Sequence, residues 1–483
     1  MNERYSYEKS ALPEPILEGK PEWIALYYKA WELAFENIEY IQKAGWKPQL
    51  TCLPGVGIVW QWDSCFMTMI TNYANGSLSA LNNLDNLYRL RRESDGYMSM
   101  AYRIEEEEPA YGERINPPLF AWAEWEAYLV SGDTSRFEKV LPALEGCFDF
   151  IEKNRSRSCG LYWFEDPGSS GMDNAPRAGY YSEAQNGSDV CFVDLACQQA
   201  LSAKCIAQMH KVLGNAAKAD YYSLEHSRIC ALINHFHWSE KAQFYFDFFA
   251  RSEPETKVKY INSKTMASAW TLICGAAQGE RAEKMIGHLF NPEEFYTKVP
   301  FASLAKDDPN YDSTGGYWLG GVWAPTNYAA IRGTAEMGRL DLARDAAIRY
   351  LDAVCAVYQD PAYGTIWESY APEAHLPSTT ENGGLVRPDF VGWSGIAPIT
   401  LLIENIIGLR FDAAENMVRF DLHGVSGLRN MQFNGNVISV ECTEFSAASG
   451  KSVLKVSAQK PFTLLVGQTC AISVPMGEHT YYI

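Results

Sequence analysis

The run NPPLFAWAEWEAYLVSGDTSRFEKVLPALEGCFDFIEKN, residues 116–154, sets the architecture of this chain. Apolar residues recur at helical spacing through 116–131 and again through 135–154, with Gly132-Asp133 as a short turn between them. The same periodicity runs through 22–44, 63–75, 78–91, 188–212, 215–236, 264–275, 278–289, 321–337, 340–357 and 391–406. Gly338-Arg339 is a second short turn of this kind. Antiparallel helix pairs, about six in succession, predict a mainly α fold, an (α/α)6 barrel or six-hairpin toroid with an inner and an outer ring of helices. No literal sequence repeat accompanies the pattern.

The chain changes character near residue 407. Short alternating runs follow, at 417–420, 437–440, 452–456, 462–466 and 479–483, with the hairpin signal Asn434-Gly435 between two of them. We therefore expect a helical catalytic unit over 1–406 and a small C-terminal β-sandwich over 407–483.

Bulk composition narrows the function. The chain has 483 residues, of which 47% are hydrophobic and 21% charged, ordinary for a folded protein with a large core. A formal net charge of −18 argues against nucleic acid or an anionic membrane as partner and fits a neutral small ligand equally well. The 14 Trp and 28 Tyr supply flat apolar faces on which sugar C–H faces stack, and the same rings also suit a large core. The 12 Cys show no metal-ligand spacing and many sit in apolar helical runs, so reduced thiols and a cytoplasmic location are expected. The N-terminal MNERYSYEKSALPEP has no apolar core of a signal peptide, and no apolar run approaches a membrane span. Nothing in the sequence sets an oligomeric state.

Five connections are longer than compact domains usually tolerate, at 92–115, 155–187, 238–263, 290–320 and 358–390. Long ordered loops are commonly functional, and gathered at one end of a toroid they would form a cleft. Two of them carry the acids that matter most. Asp173 follows Gly168-Ser169-Ser170-Gly171-Met172, a run that lets the backbone turn tightly and carry a carboxyl into a cleft, with Asn174 and Arg177 near enough to hold it or sugar hydroxyls. An Asp-Asn-x-Pro run also caps turns. Glu368 lies between Trp367 and Tyr370, where partial desolvation raises a carboxyl pKa. A protonated acid and an ionised base are what inverting hydrolysis of a glycosidic bond requires, and that chemistry calls for no cofactor or metal.

Further segments carry aromatic and polar groups suited to a sugar cleft. Trp60-Gln61-Trp62-Asp63-Ser64 offers a ring and a carboxylate, although Asp63-Ser64 also caps a helix. Gly315-Gly316-Tyr317-Trp318-Leu319-Gly320-Gly321-Val322-Trp323 combines platforms with close backbone approach. Arg387-Pro388-Asp389-Phe390-Val391-Gly392-Trp393 opens the last helix, and Asn116-Pro117-Pro118 through Trp122 adds a weaker signal. Glu381, in the loop of Glu368, is a rival base.

Taken in order, these segments resemble the clan of α/α-toroid glycosidases that holds the trehalases and glycoside hydrolase family 63, with processing α-glucosidase and mannosylglycerate hydrolase. The resemblance spans about residues 60 to 395. It implies an inverting α-glucosidase or α-mannosidase with Asp173 as general acid and Glu368 as general base. It also implies that Trp62, Asp63, Asn174, Trp318 and Trp393 bind sugar. One departure stands out: relatives usually carry Tyr-Trp-Arg-Gly-Pro where this chain has Tyr317-Trp318-Leu319-Gly320-Gly321, so a contact of that Arg is missing. Two other functions compete. A sugar epimerase or isomerase on the same toroid would use His pairs, but of the 8 His only His375 falls in a cleft-type loop. A non-catalytic sugar-binding protein would keep the aromatics without needing both acids.

Overall fold

The computed structural model describes residues 5–250 and 258–483. Eleven of its helices are α1 (Pro21–Glu36), α2 (Gln61–Thr71), α3 (Leu81–Leu90), α4 (Phe120–Ser131), α5 (Ser135–Asn154), α6 (Val193–Val212), α7 (Ala216–Phe236), α8 (Trp270–Ile273), α9 (Gly279–Leu289), α10 (Ala324–Glu336) and α11 (Leu340–Gln359). A last helix, Ala397–Ile407, is wound as a π-helix. The 3-10 turn Met266–Ala269 leads into α8, and Ser394–Ile396 leads into the last helix.

Burial separates two kinds of helix. Every residue of α2 and of the last helix is buried, including the polar Gln61, Asp63, Thr68 and Glu404, so both helices are covered on all sides. By contrast, α7 buries only Tyr222, Ile229 and Ile233, a one-sided stripe. The deeper helices pack in succession: α2 on α4, α4 on α6, α6 on α8, α8 on α10, α10 on the turn Ser394–Ile396, and that turn back on α2. The half-buried helices sit outside these, α7 along α6 and α11 along α10 and the last helix. Residues 37–44, expected as helix, leave it at Asn37, and Ile38–Glu39 pairs with Gln49–Leu50 as a two-residue antiparallel ladder. Residues 116–119, also expected as helix, precede α4 as non-helical chain. Pro117 and Pro118 disfavour the helical conformation in the residue before each.

Two sheets follow the last helix. One orders strands 409–412, 417–420, 462–466 and 470–474, with 417–420 parallel to 462–466. The other orders 14–17, 426–433, 436–445, 452–458 and 477–482. Phe411 and Phe462 of the first sheet meet Phe433 of the second at ring distances of 5.6 and 6.5 Å, so apolar faces of both sheets share one core. The expected division put residues 14–17 in the helical unit, but Glu14–Leu17 pairs antiparallel with Ser426–Arg429 as an edge strand of the C-terminal sheet. The hairpin signal forms as read: Asn434 and Gly435 adopt φ of +49° and +64° between the paired Phe433 and Asn436.

The turn between α4 and α5 is where the β unit docks. The Ala413 N–H donates to the Leu129 carbonyl and the Asn434 N–H to the Val130 carbonyl, both at 2.9 Å. Gly132, at φ +71°, ends α4 against this contact, and a Cβ there would lie 2.0 Å from Asn434 Oδ1. Gly132→Ala should cost about 1–2 kcal/mol from the left-handed backbone alone, plus the clash. On an Asn434→Gly background, which tolerates the φ of +49° and removes Oδ1, Gly132→Ala should cost only the backbone part. Thermal unfolding of the single and double variants measures the split, and an unchanged loss in the double variant would remove Asn434 from the account.

Candidate active site

Loops at one end of the buried helices enclose a cavity of about 310 Å³. Its wall draws on residues 52–63, on Met100, Tyr111 and Asn116, on Gly168, Gly171 and Asp173, on Tyr317 and Trp318, and on Glu368, Arg387, Phe390 and Trp393. Four of the five long connections thus contribute. The fifth, 238–263, includes residues 251–257, which lie outside the described residues, and contributes Asp247 behind the wall.

The turn that carries Asp173 is built from its own sequence. Asp166 Oδ1 accepts from the Ser169 N–H at 2.9 Å and starts the 3-10 turn Pro167–Ser170. Asn116 Nδ2 donates to the Ser169 carbonyl at 2.8 Å. Gly171 takes φ +80° and lies against the Trp62 ring, where a Cβ would come within 3.1 Å. Beyond Asp173, Arg177 anchors the loop in the interior. Its guanidinium donates to Asp194 at 2.6 and 2.7 Å and to Asp247 at 2.7 and 3.0 Å. Burial alone would lower its pKa, but the two carboxylates outweigh that and hold it above its ordinary value. The start of α6 balances the extra negative charge, as the Val193 N–H donates to Asp247 and the Leu195 N–H to Asp194.

Glu368 sits in a loop stitched to its neighbours by backbone ladders. Its N–H donates to the Arg387 carbonyl at 2.9 Å, and the Arg387 N–H returns to Glu368 Oε2 at 3.2 Å. Trp393 Nε1 and Ser394 Oγ both donate to the Glu368 carbonyl. Tyr317 faces it with φ +66°, a conformation rare for an aromatic residue. That backbone is held by the Tyr317 N–H to the Thr379 carbonyl at 2.7 Å and by Trp323 Nε1 to the Tyr317 carbonyl at 3.1 Å. Asn174 clamps both sides of it, donating to the Gly316 carbonyl and accepting from the Trp318 N–H. The Tyr317 hydroxyl donates to Glu368 Oε1 at 3.4 Å and stands near enough to Asp173 to oppose the rise of its pKa.

The three carboxyls of the cavity differ in setting. Asp173 is open to cavity water on one side and enclosed by protein on the others. That enclosure, with Glu368, Asp166 and Asp63 adding negative charge, pushes its pKa up to about 7 against the opposing Tyr317 hydroxyl. Glu368 is 6% exposed, and burial raises its pKa while the Arg387 N–H and guanidinium pull it back. Burial pushes Asp63 up to about 6, opposed by the Cys52 thiol, which donates to Asp63 Oδ1 at 2.9 Å. Such a site can give a proton from one carboxyl, accept one at another, and bind hydroxyls with the third.

Of the residues singled out in the sequence, Asp173, Glu368, Trp62, Asp63, Asn116, Tyr317, Trp318 and Trp393 line the cavity. Five do not. Arg177 is spent on its ion pairs, and Asn174 uses its amide to join two loops. Trp122 is core, stacked on Tyr328 at 5.8 Å with its Nε1 donating to Glu126. Trp323 lies behind Trp318, their rings parallel at 4.3 Å. Glu381 is exposed and accepts from the Tyr181 hydroxyl at 2.8 Å. His375 is exposed, and among the described residues no histidine lines the cavity. Sequence reasoning missed Cys52, Val56, Met100 and Tyr111 in the wall, and Asp194 and Asp247 behind it. The Trp60–Tyr111 pairing had no local signal, because it joins residues about 50 positions apart.

This constellation of carboxyls and aromatic rings in a loop-walled cavity is that of an enzyme acting on glycosidic bonds. Residues 58–382 match the family described as the mannosylglycerate hydrolase MGH1-like glycoside hydrolase domain, and the chain belongs to that family. An uncharacterized protein of Borreliella burgdorferi is 26% identical over 397 residues, 80% of this chain and 79% of its own. Periplasmic trehalase of Escherichia coli O1:K1 is 25% identical over 218 residues, 44% of this chain and 34% of its own. The crystal structure of the family 63 mannosylglycerate hydrolase from Thermus thermophilus with glucose superposes with a TM-score of 0.62 at 18% identity, covering 78% of this chain and 99% of that one.

Arg177→Met would leave Asp194 and Asp247 buried together without their cation. The expected loss is about 3–5 kcal/mol, read as a shift of the urea unfolding midpoint. A midpoint at the wild-type value would mean that the Asp173 loop is anchored elsewhere.

Proposed function

We propose that the protein hydrolyses an α-glucosidic or α-mannosidic bond in a small glycoside or oligosaccharide with inversion, Asp173 acting as general acid and Glu368 as general base. The supporting observation is a pair of carboxyls on one cavity, Asp173 exposed and Glu368 buried beside the Tyr317 hydroxyl. The more open Asp173, pushed up to a pKa of about 7, keeps about half of its population protonated at neutral pH, available to the leaving oxygen. Glu368 is deeper and keeps the Arg387 N–H and guanidinium as partners of its ionised form. In this reading Asp173 protonates the glycosidic oxygen as the C–O bond breaks. Glu368 takes a proton from the water that attacks the anomeric carbon from the other face. Room for that water calls for carboxyls about 6.5–9.5 Å apart.

Asp63 would accept hydroxyl hydrogen bonds from the sugar, and Trp62, Trp318 and Trp393 would offer rings to its C–H faces. The ring of successive buried helices supports reading the helical unit as an (α/α)6 toroid. Relatives named mannosylglycerate hydrolase and trehalase support the choice of sugar class. A cytoplasmic location rests on cysteine usage alone.

Asp173→Asn and Glu368→Gln should each lower kcat by about 10³-fold with the fold retained, whereas Glu381→Gln should stay near wild type. Wild-type turnover by either of the first two would end the assignment. The pH profile should fall on the alkaline side near pH 7, as Asp173 loses the proton that it donates. In Asp173→Asn that limb should vanish from the residual rate. Proton NMR of the fresh product should show the inverted anomer, and a retained anomer would refute the water-attack mechanism.

A further inference from the structure

The mouth of the cavity is built differently from its floor. Asp63, Glu368, Trp318 and Trp393 are buried at the floor, while Val56 and Tyr111 at the mouth are 48% and 43% exposed. The mouth wall belongs to a small three-stranded sheet, Ile58–Trp60, Ala101–Arg103 and Glu108–Pro109. Met100, Ala101 and Ala110 form an apolar cluster there, apart from the main core, with Ile58 and Trp60 packed on it. Against it, the Trp60 and Tyr111 rings lie 5.4 Å apart at 31°, and both residues line this face of the cavity.

Resting on the glycosidase reading above, we infer that this face is the leaving-group subsite and that it selects a ring-bearing aglycone, a second pyranose or an aryl group. The acid sets the direction. Asp173 is the exposed carboxyl and Glu368 the buried one, which sets the acid on the mouth side, so that in this reading an oxygen that it protonates leaves toward Trp60 and Tyr111. A flat C–H or aryl face stacks on such rings and covers apolar surface that a three-carbon aglycone would leave wet. The cation of the lining, Arg387, belongs to the loop of Glu368 and is bonded through its backbone to that residue, and an acidic aglycone would have to turn toward it.

Calorimetric titration with non-hydrolysable α-thioglycosides tests this without relying on turnover. The glycone is held constant and the aglycone is aryl, methyl or a small hydroxy acid. The wild type should bind the aryl compound about tenfold more tightly than the methyl one, the worth of an aromatic contact of this kind. Tyr111→Ala should erase that preference, and Tyr111→Phe should keep it. Equal affinity for aryl and methyl compounds, equal loss of both in Tyr111→Ala, or tightest binding of the hydroxy-acid compound would each overturn the proposal. An aryl preference that disappears in Tyr111→Ala, with no hydrolysis of the matching O-glycoside, would leave the platform standing and refute the hydrolase reading instead.

Discussion

The buried contact of Arg177 with Asp194 and Asp247 is the constraint on which the rest of the site depends. Charges this deep are tolerated only when every partner is present, because each lost solvation energy that no single contact restores. Arg177 lies four residues past Asp173, Asp194 is in the first turn of α6, and Asp247 lies in the connection beyond α7. One guanidinium therefore ties the turn that carries a cavity carboxyl to a helix of the buried set and to a distant loop. The free N–H groups at the start of α6 make that place hospitable to two carboxylates.

Once that loop is seated, the remaining polar groups fall into order. Asn174 binds the backbone on both sides of Tyr317 and so transmits the position of the Asp173 loop to the 315–321 turn. Tyr317 in turn holds a conformation at φ +66° that an isolated chain would avoid, and its hydroxyl donates to Glu368. Strain of this kind persists only where neighbours over-determine it. Here a backbone bond to Thr379 and an indole bond from Trp323 do so. The acids consequently differ in setting for reasons that are geometric rather than chemical: one faces cavity water and other carboxyls, the other is buried beside a backbone donor and a guanidinium.

Much of this was legible in the residues. Helix periodicity located α4, α5, α6 and α7 within a few positions, and the loops too long for simple connections did hold Asp173 and Glu368. The misreadings share one cause. Arg177, Asn174 and Trp122 are polar or aromatic residues in or near promising loops, and local sequence carries no information on which way such a side chain faces. Arg177 turned to the interior because two acids, 17 and 70 positions away, converge there. Trp122 turned inward because α4 is among the buried helices. The edge strand Glu14–Leu17 was missed for a related reason, since its partner, Ser426–Arg429, lies near the far end of the chain.

By itself the sequence determined the helical class, the change to strands near residue 407, and the chemical identity of the groups in the cavity. These follow from periodicity and residue type, which are local properties. Tertiary structure alone decided which polar groups face the cavity and which brace it, because burial and ion pairing depend on residues far apart in the chain. It also decided how the carboxyls differ, since the pKa of an acid reports the solvent and charge around it and not its neighbours in sequence.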